Sequence, residues 1–196
     1  MRGIYRTMAI LDCDSMTIVA VISTPEKNGN TEAVVNKIAE SAKANGQDVK
    51  TFYLNPMTNR KGCQACFGCK AKGRCVQNDD LTPVLDAIRE ADGIILSTPV
   101  YFGEACGQYR LLEDRFFGFL DGSFNLNMPA GKKVAVVVAA GTAGADKLAD
   151  KIEGIMTGFF KCQSVGKIAF ATGNNKAFAA GNADIMAQAE AIGKKF

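Results

Sequence analysis

Five short runs of small and β-branched apolar residues constrain this chain more than any other feature: TIVAVIS (17–23), DVKTFYL (48–54), GIILSTPV (93–100), KKVAVVVAA (132–140) and VGKIAFA (165–171). TIVAVIS is nearly continuous in apolar character, as expected of a strand buried on both faces, and GIILSTPV reads as another buried strand. Each is followed by a segment at helical spacing. After the first run, Ala33, Val34, Val35, Ile38 and Ala42 form an apolar stripe, and Gly46 is placed to end the helix. Further helices are expected over 79–93, 104–120, 145–160 and 182–195, with Asp79 or Asp80 capping the first of these and Pro83 in its tolerated first turn. Five strands alternating with helices predict an α/β fold, a doubly wound five-stranded parallel sheet with helices on both faces.

At 196 residues the chain can bury a core without covalent help, and 47% hydrophobic against 22% charged residues excludes a disordered chain. The longest apolar runs have strand length, so no membrane span is expected. Residues 1–16 read as an extension before the first strand, without the pattern of a signal peptide, which predicts a cytoplasmic protein. A net charge of +3, spread without basic runs, gives no reason to expect a nucleic-acid partner.

The regular pattern lapses between about residues 55 and 79, and four of the seven cysteines fall inside this gap, in GCQACFGCKAKGRC (62–75). A structureless loop of that length is uncommon unless it is functional or held by something. Cys63, Cys66, Cys69 and Cys75 form a cysteine-rich loop (56–79) inserted after the second strand. In a reducing compartment such clustering points to metal or catalysis before disulfides. The close Cys-x2-Cys repeats with one more cysteine nearby suit a [4Fe–4S] cube better than structural zinc, which commonly uses two pairs set further apart and often histidine. Zinc, an empty thiol set, disulfides and redox switching stay open as alternatives. Lys61, Lys70, Lys72 and Arg74 surround the cysteines and would offset an anionic centre while offering a docking face to an acidic carrier. Cys13, Cys106 and Cys162 are scattered and read as small buried residues, although Cys106 follows the third strand.

In open parallel sheets, ligands sit beyond the carboxyl ends of the strands. The first such turn, STPEKNGNT (23–31), carries hydroxyls, Asn28 and Asn30, and Gly29 just before a helix N-terminus, a combination that suits a phosphate as well as an ordinary capped turn. It is neither a Walker A loop nor a Gly-x-Gly-x-x-Gly loop. The turn after the third strand presents Pro99, Tyr101 and Phe102, able to meet a flat heterocycle or to plug the core. In AAGTAGA (139–145), Gly141 and Gly144 let backbone approach a ligand, or serve a tight turn.

Together these turns resemble the FMN-binding loops of the flavodoxin-like NAD(P)H-dependent FMN reductase family, and the Cys-x2-Cys-x2-Cys-x5-Cys spacing is similar to that of its iron–sulfur flavoprotein branch. The likeness runs over about residues 17–194, so it implies a flavodoxin-like FMN-binding domain over 17–196. It implies that Ser23, Asn30 and Thr31 touch the FMN phosphate, with Pro25, Lys27 and Gly29 completing that loop. Pro99, Val100, Tyr101, Phe102 and Gly103 would run along the ribityl chain and isoalloxazine, joined by Gly141, Thr142 and Gly144. Asp114 and Arg115 match a downstream structural pair. The chain departs from the pattern at Ile22, at Thr24, at Glu26 where the family has Arg, and at Tyr109 and Arg110 in place of Leu-Lys; Lys27 stands where it could replace the missing cation. Cys63, Cys66, Cys69 and Cys75 would hold a [4Fe–4S] cluster.

The implied function is an FMN-dependent oxidoreductase that passes electrons between the cluster and FMN to a small acceptor such as a quinone or an oxygen species. Ferredoxin or NAD(P)H would be the donor, in a homo-oligomer. The flavin carries the chemistry, so no side chain is expected to be catalytic, in keeping with a chain that has no histidine. Two other functions remain: an NAD(P)H-dependent FMN or quinone reductase with a purely structural cysteine loop, and a non-enzymatic thiol or metal redox sensor.

Overall fold

The structure is a computed structural model, and it describes residues 15–196. The first fourteen residues of the expected extension, Cys13 among them, lie outside the described residues. The strands are β1 (Thr17–Ile22), β2 (Asp48–Tyr53), β3 (Gly93–Tyr101), β4 (Glu104–Ala105), β5 (Lys133–Ala140) and β6 (Gln163–Ala171). The helices are α1 (Asn30–Ala44), α2 (Gly68–Lys72), α3 (Thr82–Glu90), α4 (Gly107–Asp114), α5 (Ala145–Gly158) and α6 (Ala183–Gly193), with a 3-10 helix over Arg115–Phe119. Five strands form one parallel sheet in the order β2-β1-β3-β5-β6, and β4 folds back antiparallel onto the end of β3.

The period of two in each strand divides the apolar residues between two layers. From β1, Ile18, Ala20 and Ile22 pack with Val34, Val35 and Ile38 of α1 and with Ile185 and Ile192 of α6. Val19 and Val21 face the opposite layer, where Leu81, Ile88, Leu112, Phe116, Leu148, Ile152 and Met156 cover the sheet. Strand β5 divides in the same way, Val134, Val136 and Val138 to one layer and Ala135, Val137 and Ala139 to the other. Each large side chain buried in this manner contributes about 1.5–3 kcal/mol before conformational entropy is counted. The continuous apolar runs are therefore what two-sided burial requires.

Two expected elements differ in detail. The helix expected over 104–120 is instead β4, α4 and the 3-10 helix in succession. Phe102 and Gly103, at φ of 53° and 84°, close a two-residue hairpin in which Tyr101 pairs with Glu104, so β3 turns back before any helix starts. The cap expected of Asp79 is partial: Asp79 Oδ1 accepts the N–H of Leu81 at 3.1 Å, while Oδ2 is drawn to Arg115. Helix α1 stops as expected, with Gly46 at φ 85° just beyond it.

Candidate functional site

The strand order reverses between β1 and β3, and a cleft of about 300 Å³ opens beyond the carboxyl ends there. Thr24, Glu26, Asn30 and Thr31 line it from the first loop, Pro99–Tyr101 from the third strand, and Ala139–Gly141 from the end of β5. A fourth wall comes from the turn after β6, through Thr172, Asn174, Asn175 and Lys176. That last turn was missed in the sequence, although TGNNK directly after a strand carries the same signal as the other three turns.

No side chain caps α1, and its first internal bond is from Ala33 N–H to the Gly29 carbonyl at 3.0 Å. The N–H groups of Asn30, Thr31 and Glu32 therefore have no carbonyl of their own helix to meet, and Asn30 and Thr31 are cleft-wall residues. A fifteen-residue helix with an open N-terminus at a concave wall fits an anionic phosphate. The side chains divide differently from the sequence expectation. Ser23 is fully buried, and its hydroxyl donates to the Ser97 carbonyl beneath the loop. Asn30 donates through Nδ2 to the Asn175 carbonyl and accepts the Ala179 N–H at Oδ1, both at 2.7 Å, so its amide ties the first loop to the fourth. Thr31 stays on the cleft wall.

Glu26 lies against Gly29: a Cβ there would come within 2.8 Å of the Glu26 side chain, which would have to shift. Glu26 in turn meets Lys176 at 3.2 Å across the cleft, so the departure to Glu at this position is answered by a cation from the fourth loop. Pro25 and Lys27 face a neighbouring cavity of about 560 Å³ that also includes Glu32 and Tyr53. Burial there, then the Glu32 carboxylate, pushes the Tyr53 phenol above its ordinary value.

Val100 and Tyr101 line the cleft, whereas Phe102 is wholly exposed at the tip of the hairpin and Gly103 supplies its turn. Gly141 forms part of the wall, but its bare face is taken by Asn174, whose Oδ1 would lie 2.5 Å from an added Cβ. Thr142 is exposed, and Gly144 caps α5 in the left-handed region at φ 91°. Below the cleft, Cys106 is buried with its sulfur 3.3 Å from the Ser23 carbonyl. Cys162 is buried as well, and burial pushes its thiol up to about 11. Tyr109, one of the departures, is fully buried with its hydroxyl unpartnered among the described residues. Arg110 pairs on the surface with Glu113 and Asp114.

The segment after β2 contains the four clustered cysteines, and all four are free thiols. Cys63 and Cys66 are exposed, Cys75 is half-buried and Cys69 is buried in the short helix α2. Between them Ala65 and Phe67 take φ of 50° and 55°, uncommon conformations for residues with a Cβ, so the chain turns sharply twice within the cysteine run. In donor chemistry, four uncrosslinked thiols within one short loop are the ligand type that an iron–sulfur cluster takes. Among the described residues, no three His, Cys, Asp or Glu side chains already converge as a metal-binding group.

Charged side chains tie this loop to the body of the protein, Lys70 from the loop itself and Arg89 and Arg115 from outside it. Lys70 was expected on a surface docking face; instead its ammonium donates to the carbonyls of Phe117 and Leu120 and lies 3.6 Å from the centre of the Phe117 ring. Arg89 donates to the carbonyls of Gly73 and Gly118 at 2.8 and 2.9 Å. Arg115 is buried and paired with Asp79 at 2.8 Å. Burial alone would raise the Asp79 carboxyl, but the hydrogen bond and charge of Arg115 outweigh it and hold the carboxyl below its ordinary value.

Comparisons place this geometry among known proteins. The profile described as NADPH-dependent FMN reductase matches residues 16–177. An iron–sulfur flavoprotein of Methanosarcina thermophila is 31% identical over 121 residues, 62% of this chain and 63% of that protein. One from Archaeoglobus fulgidus is 37% identical over 102 residues, 51% of this chain and 48% of that protein. The matched regions thus span from about half to under two thirds of the length of these relatives. The solved NAD(P)H:quinone oxidoreductase from Methanothermobacter marburgensis shares the fold at TM-score 0.65 and 13% identity, over 92% of this chain and 96% of its own. With a profile match over most of its length and four loops meeting at the carboxyl ends of a flavodoxin-like sheet, this chain belongs to the NADPH-dependent FMN reductase family.

Proposed function

We propose that this protein is an FMN-dependent oxidoreductase in which Cys63, Cys66, Cys69 and Cys75 hold a [4Fe–4S] cluster that exchanges electrons with the flavin. The observation that carries this reading is the meeting of separate loops on one cleft at the strand-order reversal, with a free-thiol loop on the same chain. Bound there, FMN would supply two-electron storage and the cluster one-electron transfer.

The chain's own residues bind and orient. The open N–H groups of α1, with Thr31 beside them, would hold the phosphate dianion. The neighbouring side chains of Thr24 and Lys176 would complete that end. Pro99, Val100 and Tyr101 would lie along the ribityl chain and ring, and Gly141 with Asn174 would close the opposite wall. Ser23, the Asn30 side chain and Cys106 hold the loops rather than the ligand. Phe102, exposed at the mouth of the cleft, supports a homo-oligomer in which a second copy covers it. NAD(P)H or a reduced ferredoxin is the proposed donor, and a quinone or another small molecule the acceptor. Six free cysteines among the described residues favour a reducing, cytoplasmic setting.

The test is to purify the protein without oxygen and measure extracted flavin, iron and sulfide, then follow flavin reduction by NADPH, NADH and reduced ferredoxin. The expected result is FMN with about four iron and four sulfide per chain. FAD or no flavin would overturn the cleft assignment. Less than about one iron per chain, with rapid reduction by NAD(P)H, would instead establish a reductase with a structural cysteine loop. The exposure of Cys63 and Cys66 is the observation that favours this second reading.

A further inference from the structure

Arg115 is the one arginine among the largest fully buried side chains, and nothing in a flavin cleft requires a guanidinium there. It opens the 3-10 helix that follows α4. Its donors are spread over both ends of the cysteine loop. Nη1 reaches the Lys61 carbonyl at 3.0 Å, before the first cysteine, and Asp79 Oδ2 at 2.8 Å, after the last. Nε points at Cys75 Sγ at 3.0 Å. The carboxylate of Asp79 balances the charge, which is the condition for burying a guanidinium at all.

A second feature meets the same cysteine. Gly118 lies in the same 3-10 helix, and a Cβ there would come within 3.2 Å of the Cys75 amide nitrogen. The helix therefore packs directly on Cys75, with a bare backbone from one residue and a charged N–H from another. Cys63 and Cys66, by contrast, are exposed.

We propose that Arg115 is a positioning residue that holds Cys75 as the preset fourth ligand of the cluster and, through its Nε–H to Sγ bond, raises the cluster's reduction potential. This rests on the reading of the cysteine loop as the cluster site. A charged N–H donor stabilises a thiolate sulfur more as the attached cluster gains negative charge, so it favours the reduced form. Arg89 provides the internal comparison. It too is an arginine bonded to this loop, but its partners are carbonyl oxygens of Gly73, Gly118 and Asn127. Arg89 ties the loop down, whereas Arg115 also addresses a sulfur.

The experiment compares wild type, Arg115→Lys and Arg89→Lys, each reconstituted with iron and sulfide without oxygen. Potentials are read by a redox titration followed by electron paramagnetic resonance, and iron retention by transfer to a chelator. Arg115→Lys keeps the charge but lacks the Nε donor. It is expected to bind iron, show a midpoint shifted to lower potential and lose iron several-fold faster, while Arg89→Lys keeps the wild-type midpoint. Should Arg115→Lys fail to fold, wild type grown with isotopically labelled arginine decides instead: a hyperfine coupling from the labelled nitrogen to the reduced cluster is expected. An unshifted midpoint in Arg115→Lys, or no coupling in the labelled wild type, would overturn the role of Arg115 and leave the cluster reading standing. A midpoint shifted equally in both variants would also overturn it, since anchoring alone would then account for the effect. Wild type that takes up no iron would overturn the cluster reading and this role with it.

Discussion

The cleft and the cysteine loop are built by opposite means. The cleft is made of strand ends: four separate turns come together because β1, β3, β5 and β6 are adjacent and parallel, and backbone pairing sets their positions. The cysteine loop has no sheet to hold it and is anchored by three cationic side chains, Lys70 reaching out from the loop and Arg89 and Arg115 reaching in, spread over carbonyl oxygens, Asp79 and one sulfur. A site held by many backbone bonds tolerates a change in one side chain. A site held by three buried or half-buried cations concentrates its stability in a few residues.

The most direct way to break that contrast is Asp79→Ala. It leaves the Arg115 guanidinium buried without its counter-ion, which costs about 3–5 kcal/mol. Urea unfolding should show the loss, and hydrogen exchange should rise first over residues 61–79 while β1 and β5 remain protected. Equal loss of protection in both regions would show that the loop and the sheet are one cooperative unit.

A smaller effect is expected in the cleft. Asn30→Ala removes one buried and one part-buried bond to the segment after β6, a loss of about 1–3 kcal/mol. Its effect on FMN affinity should exceed its effect on the midpoint of global unfolding, because the fourth wall loosens while the sheet persists. Isothermal titration with FMN measures the first and denaturant unfolding the second.

Acid sharpens the comparison without mutation. The Asp79 carboxyl is held below the ordinary value of about 3.9, so its contribution to stability is present above that pH and is lost as pH falls through the lower folded value. Pepsin should therefore leave the loop intact near pH 5 and cut within 56–79 only well below pH 4, before the sheet opens.

The smallest change is expected from Lys176→Ala. Its bond to Glu26 is exposed, and such pairs are worth about 0–1 kcal/mol. The melting temperature should hardly move, while FMN binding weakens a few-fold and loses part of its salt dependence. No change in FMN affinity would remove Lys176 from the phosphate end of the cleft.

Much of the cleft was legible in the chain because it depends on local pattern. Two-sided burial wrote the continuous apolar runs, and the turns at their carboxyl ends carried Ser, Thr, Asn, Pro and Gly wherever backbone had to be exposed. The turn after β6 bore the same marks in TGNNK. The direction of individual side chains was not legible. Ser23 and Asn30 stand in the first turn by position, and their polar atoms bond to Ser97, Asn175 and Ala179, partners 74 to 149 residues away. The second hairpin strand, β4, was also hidden, since two residues carry too little periodicity to compete with the helix that follows.

The cysteine loop shows the complementary limit. Spacing alone marked Cys63, Cys66, Cys69 and Cys75 as a candidate ligand set, because residues close in sequence must be close in space. Which of them is held in place, and by what, depends on Arg115 and Gly118, some forty residues further on. By itself, then, the sequence determined the strand–helix alternation, the polar turns at the strand ends and the clustering of four cysteines, all properties of neighbours along the chain. Only the tertiary structure decided that Lys70 turns inward, that Lys176 answers Glu26 and that a buried arginine meets Cys75, because a side chain's partner is chosen by packing between segments distant in sequence.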